Sequence, residues 1–113
     1  MRYNLPEPPF IGTNHEEIIS RYYAEEMVMA IVTIKVETKD VDRIAHEISR
    51  LERIEDVYLV TGDTDIIVKA RFESYNELKE FLVQNIASIE GIKDTKTLMV
   101  ISVYKEKGII TER

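Results

Sequence analysis

Cysteine and tryptophan are both absent from the 113 residues. Without cysteine there is no disulfide, no thiolate metal ligand and no cysteine nucleophile, which suits a reducing compartment. Proline is confined to Pro6, Pro8 and Pro9, so helices and strands can run uninterrupted through the rest of the chain. Long apolar runs are missing too. Nothing approaches the roughly 18 residues of a membrane span, and the N-terminus is not the basic-then-apolar pattern of a signal peptide, so the sequence reads as a soluble, cytoplasmic protein. A basic excess is also lacking. With 21 acidic against 15 basic residues, the net charge of −6 repels a phosphate backbone, and the lysines and arginines form no cluster to offset it.

Catalytic and metal patterns are equally scarce. There is no phosphate-cradling glycine loop and no Ser/His/Asp spacing suggestive of a triad, so no residue stands out as catalytic and the chain reads as non-enzymatic. His46-Glu47-Ile48-Ser49-Arg50 begins like a zinc-protease helix but has arginine where the second histidine belongs. Asp63-x-Asp65 lacks a visible third ligand for a hard cation. We expect neither metal nor cofactor.

What is present is charge and period. About a third of the residues are charged, and the only glutamine is Gln84, a composition that leans towards a thermophile. The length fits one domain with an arm, divided as residues 1–27, a module at 28–105 and a tail at 106–113. Met1 to Gly12 holds all three prolines and predicts an extended arm. Thr13-x-x-Glu16 has capping-box spacing and opens a short amphipathic helix from about Asn14 to Glu26.

From Val28 to Glu37 the period changes to two, with Ala30, Val32, Ile34 and Val36 on one face and Met29, Ile31, Thr33 and Lys35 on the other. Asp40 is positioned to cap a helix reaching about Glu52, whose Val41, Ile44, Ala45, Ile48 and Leu51 recur along one side. Two β-rich runs, Val57 to Val60 and Ile66 to Phe72, flank the turn Thr61-Gly62-Asp63-Thr64-Asp65 and predict a hairpin. Ser74-x-x-Glu77 is a second capping box, opening a helix striped by Leu78, Phe81, Leu82, Ile86 and Ile89 and stopped by Gly91. A last strand is expected from Thr95 to Tyr104, and the tail beyond it frays or adds a short edge strand.

The order β-α-β-β-α-β predicts an α+β, ferredoxin-like sandwich. Its four-stranded antiparallel sheet has strand order 4-1-3-2, with both helices on one face. The other face is bare. Met29, Ile31, Tyr58, Val60, Ile67, Met99, Ile101 and Val103 are expected to project there, so it should pack on a partner, most simply a second copy by two-fold symmetry.

The run Val57-Tyr58-Leu59-Val60-Thr61-Gly62-Asp63-Thr64-Asp65-Ile66-Ile67-Val68-Lys69 resembles the V-x-x-V-T-G-x-x-D-x-x-V-K signature of the C-terminal effector (RAM) domain of the Lrp/AsnC family. The likeness extends over about Val28 to Val103 and takes in the helix exit Ile89-Glu90-Gly91-Ile92 and the strand start Thr95-x-Thr97. Thr64 stands where the family usually has an aromatic residue. The resemblance implies a ferredoxin-like module that dimerises through its sheet, often builds larger rings, and binds amino acids or related metabolites between dimers. It points to Thr61, Gly62, Asp65 and Thr97 as ligand-binding positions. Family transcription factors carry a helix-turn-helix domain ahead of this module, and 27 residues are too few for one. The expectation is therefore a stand-alone effector module that does not itself bind DNA and modulates Lrp/AsnC-type transcription factors by mixed assembly.

Two other readings share the architecture. An ACT-like amino-acid-binding regulatory domain would hold its ligand at the first strand-to-helix loop. A small dimeric α+β barrel enzyme would need polar groups facing the helices, where Val32, Ile34, Leu59, Ile66 and Val68 are apolar.

Overall fold

A computed structural model describes residues 27–37 and 39–111. The expected arm and first helix lie outside the described residues. Four strands, β1 (Val28–Val36), β2 (Ile54–Leu59), β3 (Ile66–Phe72) and β4 (Ile92–Met99), form one antiparallel sheet in the order β2-β3-β1-β4. Helix α1 (Val41–Ser49) joins β1 to β2. Helix α2 (Tyr75–Glu80), continued by a π-helical segment over Phe81–Ile86, joins β3 to β4. This is the ferredoxin-like arrangement expected from the alternating periods.

Burial follows the period of each element. Ala30, Val32 and Ile34 of β1 and Ile66, Val68, Ala70 and Phe72 of β3 meet Ile44, Ile48, Leu78, Phe81 and Ile86 from the helices in one core. Fully burying each large side chain contributes about 1.5 to 3 kcal/mol. Phe72 and Phe81 add an aromatic contact across the sheet-helix boundary, centroids 5.2 Å apart and planes tilted by 53°. The Ser74 cap forms as read, with Ser74 Oγ accepting from the Glu77 N–H at 3.2 Å, while the reciprocal bond is displaced by one residue: Glu77 Oε1 accepts from the Glu73 N–H at 3.1 Å and not from that of Ser74. Asp40 precedes α1, but its side chain makes no capping bond; its carbonyl accepts from the Ile44 N–H instead.

Three sequence expectations are corrected. The last strand begins at Ile92 and ends at Met99, not Thr95 to Tyr104. A register shift between Lys35 and Val36 of β1 fixes the facing of this strand, so Leu98 lies opposite Ile31 on the open face, whereas Met99 lies opposite Ala30 and packs on the core. Met99 therefore does not join the open face, and Ile101 lies beyond the strand. Leu59 does face the helix side, opposite Ile66, but at the end of edge strand β2 it is not covered there and stays 57% exposed. Thirdly, the tail neither frays nor extends the sheet. Strands β5 (Lys105–Glu106) and β6 (Ile109–Ile110) form a separate hairpin, closed by Lys107 and Gly108 at φ 51° and 82°, the doubly positive pattern of a type I′ turn.

Candidate functional site

The hairpin loop Thr61 to Asp65 turns back across the end of β1. Gly62 permits this at φ +112°, a conformation that side-chain-bearing residues rarely adopt. Three bonds then clasp loop to strand. The Ile34 carbonyl accepts from the Asp65 N–H and from Thr64 Oγ1, each at 3.0 Å, and Asp65 Oδ2 accepts from the Val36 N–H at 3.0 Å. An ionised acceptor makes the last bond the strongest in kind, worth about 1.5 to 3 kcal/mol.

Beside this clasp is a cavity of about 470 Å3, lined by Thr33, Lys35, Asp63, Thr64, Asp94, Thr95, Lys96 and Leu98. Cross-strand pairing brings most of these together: Lys96 lies opposite Thr33, Asp94 opposite Lys35 and Leu98 opposite Ile31, all on the face away from the helices. Two ammonium groups and two carboxylates thus line one hollow. No ion pair joins any of the four to another described residue. A zwitterion needs such a mixture, with one sign for its carboxylate and the other for its ammonium.

The positions indicated by resemblance fall around this hollow in different ways. Thr61 and Gly62 are exposed in the loop. Asp65 is half-buried, with one oxygen engaged by Val36. Thr97 lies opposite Val32, on the helix-covered side of the sheet. Lys35, Asp94 and Lys96 were not singled out from sequence; their signal was charge on the otherwise apolar second face, which becomes meaningful only with the register of β4. Among the described residues, no group of three or more His, Asp or Glu side chains is placed to hold a metal ion. Nor is any described helix long and apolar enough to cross a membrane.

A second hollow, of about 540 Å3, lies near the end of α1 and the start of the second helix. On its rim the Arg53 guanidinium and the Glu77 carboxylate are already paired at 3.5 Å.

Comparison with known proteins agrees with the fold. The family model of the Lrp/AsnC ligand-binding domain matches residues 29–110. A Pyrococcus furiosus HTH-type transcriptional regulator is 32% identical over 88 residues, which cover 78% of this chain and 60% of that protein. The HTH-type transcriptional regulator FL11 of the same organism is 37% identical over 79 residues, covering 70% of this chain and 52% of FL11. The chain thus spans little more than half the length of these curated relatives. A crystal structure from Thermus thermophilus superposes with a TM-score of 0.66 at 30% identity, covering 70% of this chain and 99% of that one. A Neisseria meningitidis transcriptional regulator, crystallised as a complex with L-Met, superposes with a TM-score of 0.70 at 18% identity over 97% of this chain and 65% of its own.

Proposed function

The chain belongs to the Lrp/AsnC family of ligand-binding domains, and on that premise we propose that it is an effector-binding and assembly module that takes up an amino acid or related metabolite beside the Thr61–Asp65 loop. The observation that carries this reading is the cavity with Lys35, Lys96, Asp63 and Asp94 on its wall. Its volume lies within the range of about 300 to 1,000 Å3 usual for small-molecule sites. Lys35 and Lys96, helped by the exposed loop N–H groups near Gly62, receive the ligand's carboxylate. Asp63 and Asp94 receive its ammonium. Asp65 acts through the loop, holding it against Val36, and Thr97 supports strand β4 from behind. The L-Met complex of a regulator with the same fold supports a ligand of this chemical class.

Assembly goes through the open sheet face. Ile31 and Ile67 lie there half-buried, Tyr58 and Leu98 are each 55% exposed, and a second copy presents the same apolar surface. The relatives that match this module are HTH-type transcriptional regulators, so the downstream role is modulation of such factors, by self-assembly or by mixed assembly with them.

Thermal unfolding against the twenty amino acids tests the binding. A ligand at 100 times its dissociation constant adds about 2.7 kcal/mol, several degrees for a domain of this size. We expect a selective shift that is lost in Lys96→Ala and in Asp63→Ala. No shift with any amino acid, or a shift that survives both substitutions, overturns the site.

A further inference from the structure

The C-terminal hairpin is seated on the open face of the sheet, at the end away from the loop cavity. Glu106 Oε2 accepts from Lys69 Nζ at 2.5 Å and from Arg71 Nη2 at 2.6 Å. Only 9% of Glu106 and 7% of Arg71 remain exposed. Two-residue strands are too short to be stable alone, so the position of the hairpin depends on these bonds.

The sheet's own charges do not depend on them. Arg71 Nε holds Glu55 Oε2 at 2.6 Å, and Lys69 Nζ lies 3.7 Å from Glu55 and 3.9 Å from Asp56. Two bases already face two acids on β2 and β3. Glu106 is a third acid, and its departure leaves no uncompensated cation behind. A docking surface matched to one carboxylate-bearing hairpin accepts that hairpin equally well from another chain.

The connection between β4 and the hairpin suits such an exchange. Val100 still donates to the Met29 carbonyl at 3.0 Å, but residues 101–103 pair with no strand among the described residues. Within this connection Ile101 is 95% exposed and Tyr104 70% exposed. Large apolar side chains are left in water when the chain is considered singly, at the point where it would cross to a facing copy.

We propose that the hairpin is exchanged between two copies of the chain, so that Glu106 of each docks on Lys69 and Arg71 of the other and the 100–104 connection is buried between them. Exchange of an identical element reuses the same bonds and needs no new anchor. The proposal rests on the self-association reading above and adds the element that locks it.

The native contact supplies its own test. Lys69 Nζ and the Glu106 carboxylate touch, so a zero-length carbodiimide cross-link joins them. Chains labelled with 15N and unlabelled chains are mixed in equal amounts, unfolded, refolded together and cross-linked, and the linked peptides are read by mass spectrometry. Sedimentation of the same sample gives the oligomeric state, and Glu106→Gln, which cannot be coupled, serves as the control. Exchange predicts that roughly half of the Lys69–Glu106 peptides carry one labelled and one unlabelled partner, the statistical share for a two-fold dimer. A dimer with only same-label peptides overturns the exchange and leaves self-association standing. A monomer overturns both, and absence of the Lys69–Glu106 link from an otherwise cross-linked protein overturns the seating of the hairpin.

Discussion

The carboxylate of Asp65 accepts a hydrogen bond from the backbone N–H of Val36, 3.0 Å away and 29 positions earlier in the chain. It ties the central hairpin loop to the end of the first strand, where β1 must part from β3. Replacing Asp65 by alanine strands a partly buried N–H, at a cost of about 1 to 3 kcal/mol. Asp65→Ala should lower the unfolding midpoint by several degrees, while Asp65→Asn, which keeps an acceptor oxygen, should lose much less. Equal losses in chemical denaturation would show that the charge, and not the acceptor, is what matters.

Gly62 separates backbone strain from steric fit. Nothing lies within 4 Å of a methyl group built there, yet its φ is +112°. Gly62→Ala should cost about 1 to 3 kcal/mol from backbone conformation alone. A smaller loss than 0.5 kcal/mol in equilibrium unfolding would mean that the loop relaxes to another turn.

The Phe72–Phe81 contact joins the sheet to the second helix, with Phe72 only 1% exposed. Phe72→Ala should remove about 3 to 5 kcal/mol of stability. Val83, 61% exposed on the same π-helical segment, should tolerate alanine within about 0.5 kcal/mol. Denaturant midpoints for the pair will show whether the core lies where the packing puts it.

Acid should loosen the C-terminal hairpin. Burial acts to raise the pKa of Glu106, but the hydrogen bond from Lys69, the charges of Arg71 and Lys69 and the bond from Arg71 outweigh it and hold the carboxyl below its ordinary value. A carboxyl with a depressed folded-state pKa stabilises the docked form above its ordinary pKa, and that stability is lost as pH falls through the lowered value. Lys69, Arg71, Glu55 and Asp56 face it from the sheet, and Lys105 and Lys107 flank it in the hairpin. Amide protection factors in residues 105–110, taken relative to the intrinsic exchange rate at each pH, should therefore be high at neutral pH and fall once the pH drops below the ordinary glutamate range. In Glu106→Gln the protection factors should be low at both.

Element order, the two helical stripes, the Ser74 cap and the need for glycine at position 62 were all legible in the sequence. Each depends on side chains a few residues apart, through the period of a strand or helix or a bond within one turn. The loop was legible as a candidate site for the same reason. What the tertiary structure alone decided involves distant partners. The register shift between Lys35 and Val36 determines which side of β4 faces the helices, so that Leu98 and not Met99 lies on the open face and Lys96 and Asp94 line the cavity. Asp65 finds its partner in another strand, and Glu106 meets cations 35 and 37 positions away. A period of two says that neighbouring side chains point oppositely; it does not say which of them points inward, because one extra residue at a bulge reverses the answer for the rest of the strand.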